Sequence, residues 1–461
     1  MKEYYPLTAA QKMHHNWIQK YKTQQVSGVS VVASLKSPLD FGLLKKCIQL
    51  ELERYGCMRI RFTKPDAKGE VKQYIMEKAV GDIPIKDLSG MSLAEADNLM
   101  QQWAYQTFNG DDISMCDVSM VKLPEGFNGF FIHMDHRLID SCGLVVMIND
   151  LMQLYTHYRF QSEYPADLAD FEEVLKKDLK KANNEKRFAK DKKFWDDQLD
   201  TLGEPLYSDI QGPSVLEEAR KRHGNKNLRA ADIELKNLFV EVKDYYLEPE
   251  PTKNLIAFCM NHQLSMTNLL LLGIRTYLSK VNNRQEDITI QNFISRRSTH
   301  DEWTSGGSRT IMFPCRTVIS PETEFLAAAY EIQNVQNRIY MHSNYDPALI
   351  EEEMRKRYKT PENTTYESCY LTYQPLPVRM DNPHLVNIAQ HSKWFANGAA
   401  TKKMYLTVSH TEHGGMNFSY HYQTAHLKEH DMELLYYYMM RILFKGIAEP
   451  DMSIGEIMDE V

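Results

Sequence analysis

The chain has 461 residues, 43% of them hydrophobic and 25% charged, with a formal net charge of −8 at neutral pH. That length supplies core for two domains or lobes, and the composition is that of an ordinary globular chain. The acidic balance, without any long uninterrupted basic block, argues against a nucleic-acid partner, because phosphate binding needs clustered Lys and Arg. The opening Met1-Lys2-Glu3-Tyr4-Tyr5-Pro6 is not a signal peptide, and no apolar run approaches a membrane span. Seven scattered cysteines without a CxxC pair read as reduced thiols, so the expected location is cytoplasmic.

In chain order, Thr8 caps a helix predicted over 9–21, and the alternating valines and serines of 26–35 predict a strand. Asp40 caps a helix to about residue 54, with Phe41, Leu44, Ile48 and Leu52 on one face. Residues 59–62 and 71–76 read as strands, 92–108 as a helix, and 117–123 as the approach to a central apolar strand. Leu144, Val145, Ile148, Leu151 and Leu154 then recur at three and four, so a helix runs to about residue 158. A charged helical region begins at 166–171. Its lysines, from Lys176 to Lys193, alternate with acids and read as a solvated helix face or linker, with a docking surface for an acidic partner as the alternative. Glycine, proline and charge make 203–227 a loop, and 232–246 is strand-like. Helices are expected at 251–262, 265–281, 323–340 and 432–447. Strands are expected at 288–297, where Arg296 and Arg297 end the run, and at 371–374, 405–410 and 415–422.

The chemistry-bearing residues concentrate between 131 and 143. Phe130-Phe131-Ile132 reads as a buried strand, and His133, Asp135, His136 and Asp140 follow within eight residues, before Gly143 and the helical pattern. The cluster therefore sits where a strand gives way to a helix, a place where loops carry chemistry in mixed folds. An imidazole near its ordinary pKa takes and returns protons at neutral pH, which makes His136 the candidate general base. Asp140 could cap the helix, close the turn or pair with a distant cation. The spacing alone is equally that of a core histidine and a capping aspartate. His133, Asp135, His136 and Asp140 are also numerous enough to ligate a metal, and Cys142 stands at a helix start, where thiols are activated.

Asp135-His136-Arg137-Leu138-Ile139-Asp140-Ser141 resembles the HHxxxDG motif of the CoA-dependent acyltransferase (chloramphenicol acetyltransferase-like) superfamily, which includes the condensation domains of nonribosomal peptide synthetases. His136 falls on the second, catalytic histidine and Asp140 on the aspartate. Asp135 stands in place of the first histidine and Ser141 in place of the glycine. Other segments resemble condensation-domain motifs in their family order. Tyr5-Pro6-Leu7-Thr8-Ala9-Ala10-Gln11 is similar to YPLSPAQ, and Pro38-Leu39-Asp40 and Met58-Arg59-Ile60-Arg61-Phe62 to the PLD and LRxRF segments. Lys193 to Leu199 is similar to yWxxqL, Gly306 to Arg316 to GxFxNTLPLR without its asparagine, and Leu371 to Gln374 to VxFNYQ.

The resemblance implies an α/β (α+β sandwich) fold of two chloramphenicol acetyltransferase-like lobes in a V-shaped pseudo-dimer. An N-terminal lobe over 1–175 would carry the motif, and a C-terminal lobe over 176–461 would include a crossing segment near 296–316. It implies a freestanding condensation-type acyltransferase that forms an amide, or an ester, from a carrier-protein- or CoA-linked acyl thioester and an amine or hydroxyl acceptor. His136 would be the base, and Asp140 would be structural, ion-paired with Arg297 (Arg296 being the neighbouring candidate). The Ser141 N–H would be the oxyanion donor, and Asp135 would either tune His136 or point away along the strand. It further implies no resident cofactor and no metal or nucleophilic cysteine. The partner is expected to be an acyl or peptidyl carrier protein in trans or acyl-CoA, and the chain a monomer. The departures at Asp135 and Ser141 support a second reading, a catalytically inactive recruitment or scaffold domain. Retention of His136, Asp140 and the arginines supports the enzyme.

Overall fold

In the computed structural model, which describes residues 2–78, 81–108, 110–378, 380, 382–411 and 413–461, the chain forms two units that are each discontinuous in sequence. The first comprises Met1–Asn183, Ser295–Thr310 and Leu376–Ala399. The second comprises Asn184–Ile294, Ile311–Pro375 and Ala400–Val461.

The first unit is built on a five-stranded sheet in the order Gln390–Phe395, Gly28–Leu35, Asn128–Asp135, Cys116–Lys122 and Ile85–Asp87. All pairs are antiparallel except the last. The central strand is buried at nearly every position because both its faces are covered. Phe130, Ile132 and Met134 pack with Leu44, Ile48, Leu144, Ile148 and Leu151 of helices Phe41–Arg54 and Ser141–Phe160. On the other face Phe131 packs with Ala96 and Met100 of helix Leu93–Ala104. Full burial of such a side chain stabilises by about 1.5–3 kcal/mol, so the strand ends in a rigid frame. The register pairs Gly28 with Asp135, which places the strand end against the start of its neighbour.

The second unit carries a six-stranded sheet in the order Thr310–Val318, Asp287–Ser295, Cys369–Gln374, Met404–His410, Met416–Gln423 and Val240–Leu247. Met404, Leu406, Val408, Phe418 and Tyr420 alternate along its strands and are buried, as are most residues of helix Met266–Val281, which contacts helix Glu429–Ala448. Among the described residues, no single helix is long and apolar enough to cross a membrane.

Several elements depart from the sequence expectation. The stretch read as a loop at 203–227 contains helix Ser214–Arg222, entered through Gly212 in the left-handed region and Pro213. Those two residues punctuate a helix start there and do not prevent it. Helices Pro347–Tyr358 and Ile454–Glu460 and the edge strand Gln390–Phe395 were not anticipated. Each is short or half-exposed, so its apolar period is weak. The helix expected to reach 108 ends at Ala104. The charged region after 166 is two helices, Phe171–Ala182 and Glu185–Leu202, separated at Asn183 and Asn184.

Candidate functional site

The site is assembled at the end of strand Asn128–Asp135. The His136 N–H donates to the Ser27 carbonyl at 2.6 Å, which extends the strand pairing by one residue. Successive side chains of an extended chain point to opposite sides, and Asp135 turns away from His136. Its fully buried carboxylate accepts from the Arg137 N–H at 2.8 Å, from Arg137 Nε and Nη2 at 2.9 and 2.8 Å, and from Gln24 Nε2 at 2.6 Å. Burial pulls the Asp135 carboxyl up, but Arg137 and these hydrogen bonds pull it down further, so its pKa lies below the ordinary value. The Arg137 guanidinium lies 4.5 Å from the Phe62 ring centroid. The residue in the first-histidine position is therefore one half of a buried ion pair, with its charge balanced locally.

His136 is half-buried. Its Nδ1 is buried without a hydrogen-bond partner among the described residues. Burial lowers its pKa below the ordinary imidazole value, against the opposing pull of Asp140 and Asp135. The ring is thus neutral at neutral pH and holds a lone pair that can take a proton. Its face lies against His14, from helix Ala9–Tyr21, with ring centroids 4.5 Å apart and planes within 12°.

Asp140 caps helix Ser141–Phe160. Its Oδ1 accepts from the Gly143 N–H at 3.0 Å and pairs with Arg297 Nη2 at 2.8 Å. Its Oδ2 accepts from Arg297 Nη1 at 2.8 Å, the Arg309 N–H at 2.9 Å, the Thr310 N–H at 3.0 Å and Thr310 Oγ1 at 3.0 Å. Burial opposes the charge, yet Arg297 and the N–H donors hold the carboxyl well below the usual carboxylate range. Both oxygens are fully engaged, so this carboxylate has little capacity left to act as a base. The Asp140 ion pair is made by Arg297, which is 5% exposed and also donates to the Gly307 carbonyl at 3.1 Å. Arg297 is thus a buried residue and does not pair with the acids that follow it. Asp301 and Glu302 instead meet Lys177 and Lys181 at 3.2 and 2.8 Å, so part of the basic helix pairs with acids of the same unit.

Ser141 is the first residue of the helix that Asp140 caps, where backbone N–H groups of the first turn point outward and the helix dipole favours negative charge. Three of the four donors considered for a metal serve separate partners. His133 Nδ1 lies 2.8 Å from Ser30 Oγ and its Nε2 lies 2.9 Å from the Gln106 carbonyl, while Asp135 and Asp140 are held by arginines. Burial pushes the Cys142 thiol up to about 11, where the nucleophilic thiolate is scarce at neutral pH.

Three participants escaped the sequence reading: His14, Arg309 and Thr310. Arg309 and Thr310 act on Asp140 largely through backbone N–H groups, for which no residue type is a signal. His14 did leave one, since it interrupts the buried stripe of Ala10, Met13 and Tyr21 on an otherwise ordinary helix.

The condensation domain family matches residues 1–459 of the chain. Surfactin synthase subunit 1 of Bacillus subtilis strain 168 is 22% identical over 463 residues, covering 98% of this chain, which spans only 12% of that protein's length. Among solved structures, the first condensation domain of the calcium-dependent antibiotic synthetase, in complex with a substrate analogue, superposes with a TM-score of 0.79 at 16% identity, covering 98% of this chain and 99% of the other. A variant of the starter condensation domain of rhizomide synthetase, in complex with C8-CoA, superposes with a TM-score of 0.78 at 15% identity, covering 98% and 96%. With a family match over nearly its whole length and this fold, the chain belongs to the condensation domain family.

Proposed function

We propose that the chain transfers an acyl group from a pantetheine-linked thioester, on a carrier protein or on CoA, to an amine acceptor, with His136 as general base. The observation that carries this reading is the half-buried His136 ring, kept neutral by burial, beside an Asp140 already held by Arg297. In the reaction, the acceptor nitrogen attacks the thioester carbonyl while His136 Nε2 takes its proton. The Ser141 N–H at the helix start stabilises the tetrahedral oxyanion. Collapse breaks the C–S bond, and the leaving thiolate takes the proton back from His136, so the amide and a free thiol are the products. Asp140 and Arg297 hold the loop that presents His136, and Asp135 is balanced by Arg137. The presence of C8-CoA in a similar starter domain is the reason to include acyl-CoA among the donors.

The test is free-thiol release and product mass from a panel of acyl-CoA, acyl-pantetheine and carrier-loaded thioesters with amine and hydroxyl acceptors. Wild type would be compared with His136→Ala. The expected result is a loss of about 10²–10⁴-fold in kcat for the variant, the usual contribution of a positioned base. Equal turnover by both proteins would refute His136 as the base. No turnover by the wild type on any donor would favour the recruitment or scaffold reading. Because burial lowers the His136 pKa, its basic form persists below the ordinary imidazole value. The acid limb of kcat/KM should therefore lie below about pH 6.5, and a limb at or above that value would contradict the neutral-base assignment.

A further inference from the structure

The motif itself contributes one histidine, yet the site holds two stacked imidazoles, the second brought by a distant helix. His14 is 4% exposed and its ring lies flat on that of His136, at 4.5 Å and 12°. Trp17, one turn further along the same helix, meets the His14 ring edge-on at 5.1 Å. The helix is tied to the catalytic loop one residue beyond His136, because Gln11 Nε2 donates to the Arg137 carbonyl at 3.1 Å and also to Gln73. A capping box at Thr8 and Gln11 fixes its start. The helix that carries His14 and the loop that carries His136 are thus tied directly to each other.

Simple packing does not account for a histidine here. Nδ1 of His14 is buried without a hydrogen-bond partner among the described residues, a desolvation cost that leucine or methionine would not carry. We propose that His14 is a positioning residue for the acyl transfer: its ring holds the His136 imidazole in plane and stabilises, through its π face, the imidazolium formed when His136 takes the acceptor's proton. This rests on the reading of His136 as the base. A cation stacked on an aromatic face is favoured over the same cation on an aliphatic one. His14 can serve in this way only if it remains neutral. Burial opposes its charge most strongly, and the neighbouring His136 and Arg137 act in the same direction, against the weaker pull of Asp135 and Asp140. His15, on the same helix, is lowered by burial and by Arg137. The charged and titratable groups that act on the pair are Asp135 and Arg137, which balance each other, Asp140, which is held by Arg297, and His15, which shares the helix of His14.

The experiment compares His14→Leu and His14→Phe with wild type and His136→Ala in the full chain. It measures kcat, KM and the pH profile with the best thioester and amine pair from the panel above. In parallel, the His136 ring is titrated by NMR on histidine-labelled protein, a readout that needs no turnover. Leucine should lower kcat about tenfold or more with KM little changed, and phenylalanine, which restores an aromatic face, should recover most of it. Leucine should also move the His136 pKa and the acid limb down by about half a pH unit, the size of a modest cation–π interaction. Wild-type kcat and an unmoved His136 pKa in His14→Leu would overturn the proposal. So would a kcat loss that phenylalanine fails to restore while the His136 pKa stays put, since that pattern belongs to loosened packing. If His136→Ala retains full turnover, the base assignment fails and the proposal with it. If His136→Ala is inactive and His14→Leu is normal, the proposal alone fails.

Discussion

At the scale of single residues, the site depends on charges that are buried in pairs. Asp140 and Arg297 are both withdrawn from water and hydrogen-bonded to each other. Removing one partner leaves the other charge uncompensated, which typically costs about 3–5 kcal/mol. Asp140→Asn should therefore lower stability by that order in urea denaturation, and activity should fall with it as the 309–310 backbone donors lose their acceptor. A variant as stable as wild type would contradict a load-carrying pair. The acid behaviour follows the same logic. Asp135, Asp140 and Glu302, the last lowered to about 2, all have depressed folded-state pKa values. Their stabilisation is present above the unfolded carboxylate pKa near 4 and is lost as pH falls through the folded values. Much of this was legible before any coordinates. His136 and Asp140 stand out by their resemblance to a family motif, and the pairing of Arg297 with Asp140 is what the same resemblance implies. The inward turn of Asp135 toward Arg137 was not, because a strand's alternation offers two faces and only the packing of Gln24 and Phe62 selects one.

At the scale of an element, helix Phe41–Arg54 contains a local conflict. Its buried stripe of Leu44, Cys47 and Ile48 continues to Glu51, which is 1% exposed. Neither Glu51 oxygen has a hydrogen-bond partner among the described residues. The nearest cation, Arg54, lies 3.9 Å away by its Nε and engages Asp150 at 3.1 and 3.2 Å. Burial, followed by the neighbouring Asp150, pushes the Glu51 carboxyl well above the usual range, so it is held protonated. A raised carboxyl pKa favours the folded state fully only below the unfolded value, and that support is lost as pH rises. Glu51→Gln, neutral at every pH, should raise stability near pH 8 by about 1–3 kcal/mol and change it little near pH 4 and below, as read from denaturant midpoints. An unchanged or lowered midpoint near pH 8 would show that Glu51 is ionised and paired there. The sequence marked this helix, its Asp40 cap and its apolar face correctly. It gave no sign that Glu51 lies on the inner stripe, because one charged residue barely disturbs a helical period.

At the scale of the whole molecule, the units do not coincide with continuous stretches of chain. The first takes Ser295–Thr310 and Leu376–Ala399 from later in the sequence. The former brings Arg297 to Asp140, and the latter brings strand Gln390–Phe395 to the outer edge of Gly28–Leu35. Residues 1–183 expressed alone would expose that strand edge and bury Asp140 without its cation. Their thermal melt should be broad or absent by circular dichroism, whereas the full chain should unfold cooperatively. A sharp, full-amplitude melt for 1–183 would show that the two later segments are dispensable.

The amino-acid sequence by itself determined the class of fold, the order of most helices and strands, and the identity of His136, Asp140 and Arg297 as the residues to watch. The elements rest on periodicity and capping, and the fold class and the three residues on the resemblance of short segments to family motifs; all of these are local properties. Only the tertiary structure decided that His14 covers the face of His136, that Arg309 and Thr310 close around Asp140, and that the first unit draws on residues beyond 290. Those contacts join residues far apart in the chain. They are selected by the packing of the whole and by the need to satisfy buried polar groups, and the sequence does not name the partner in any of them.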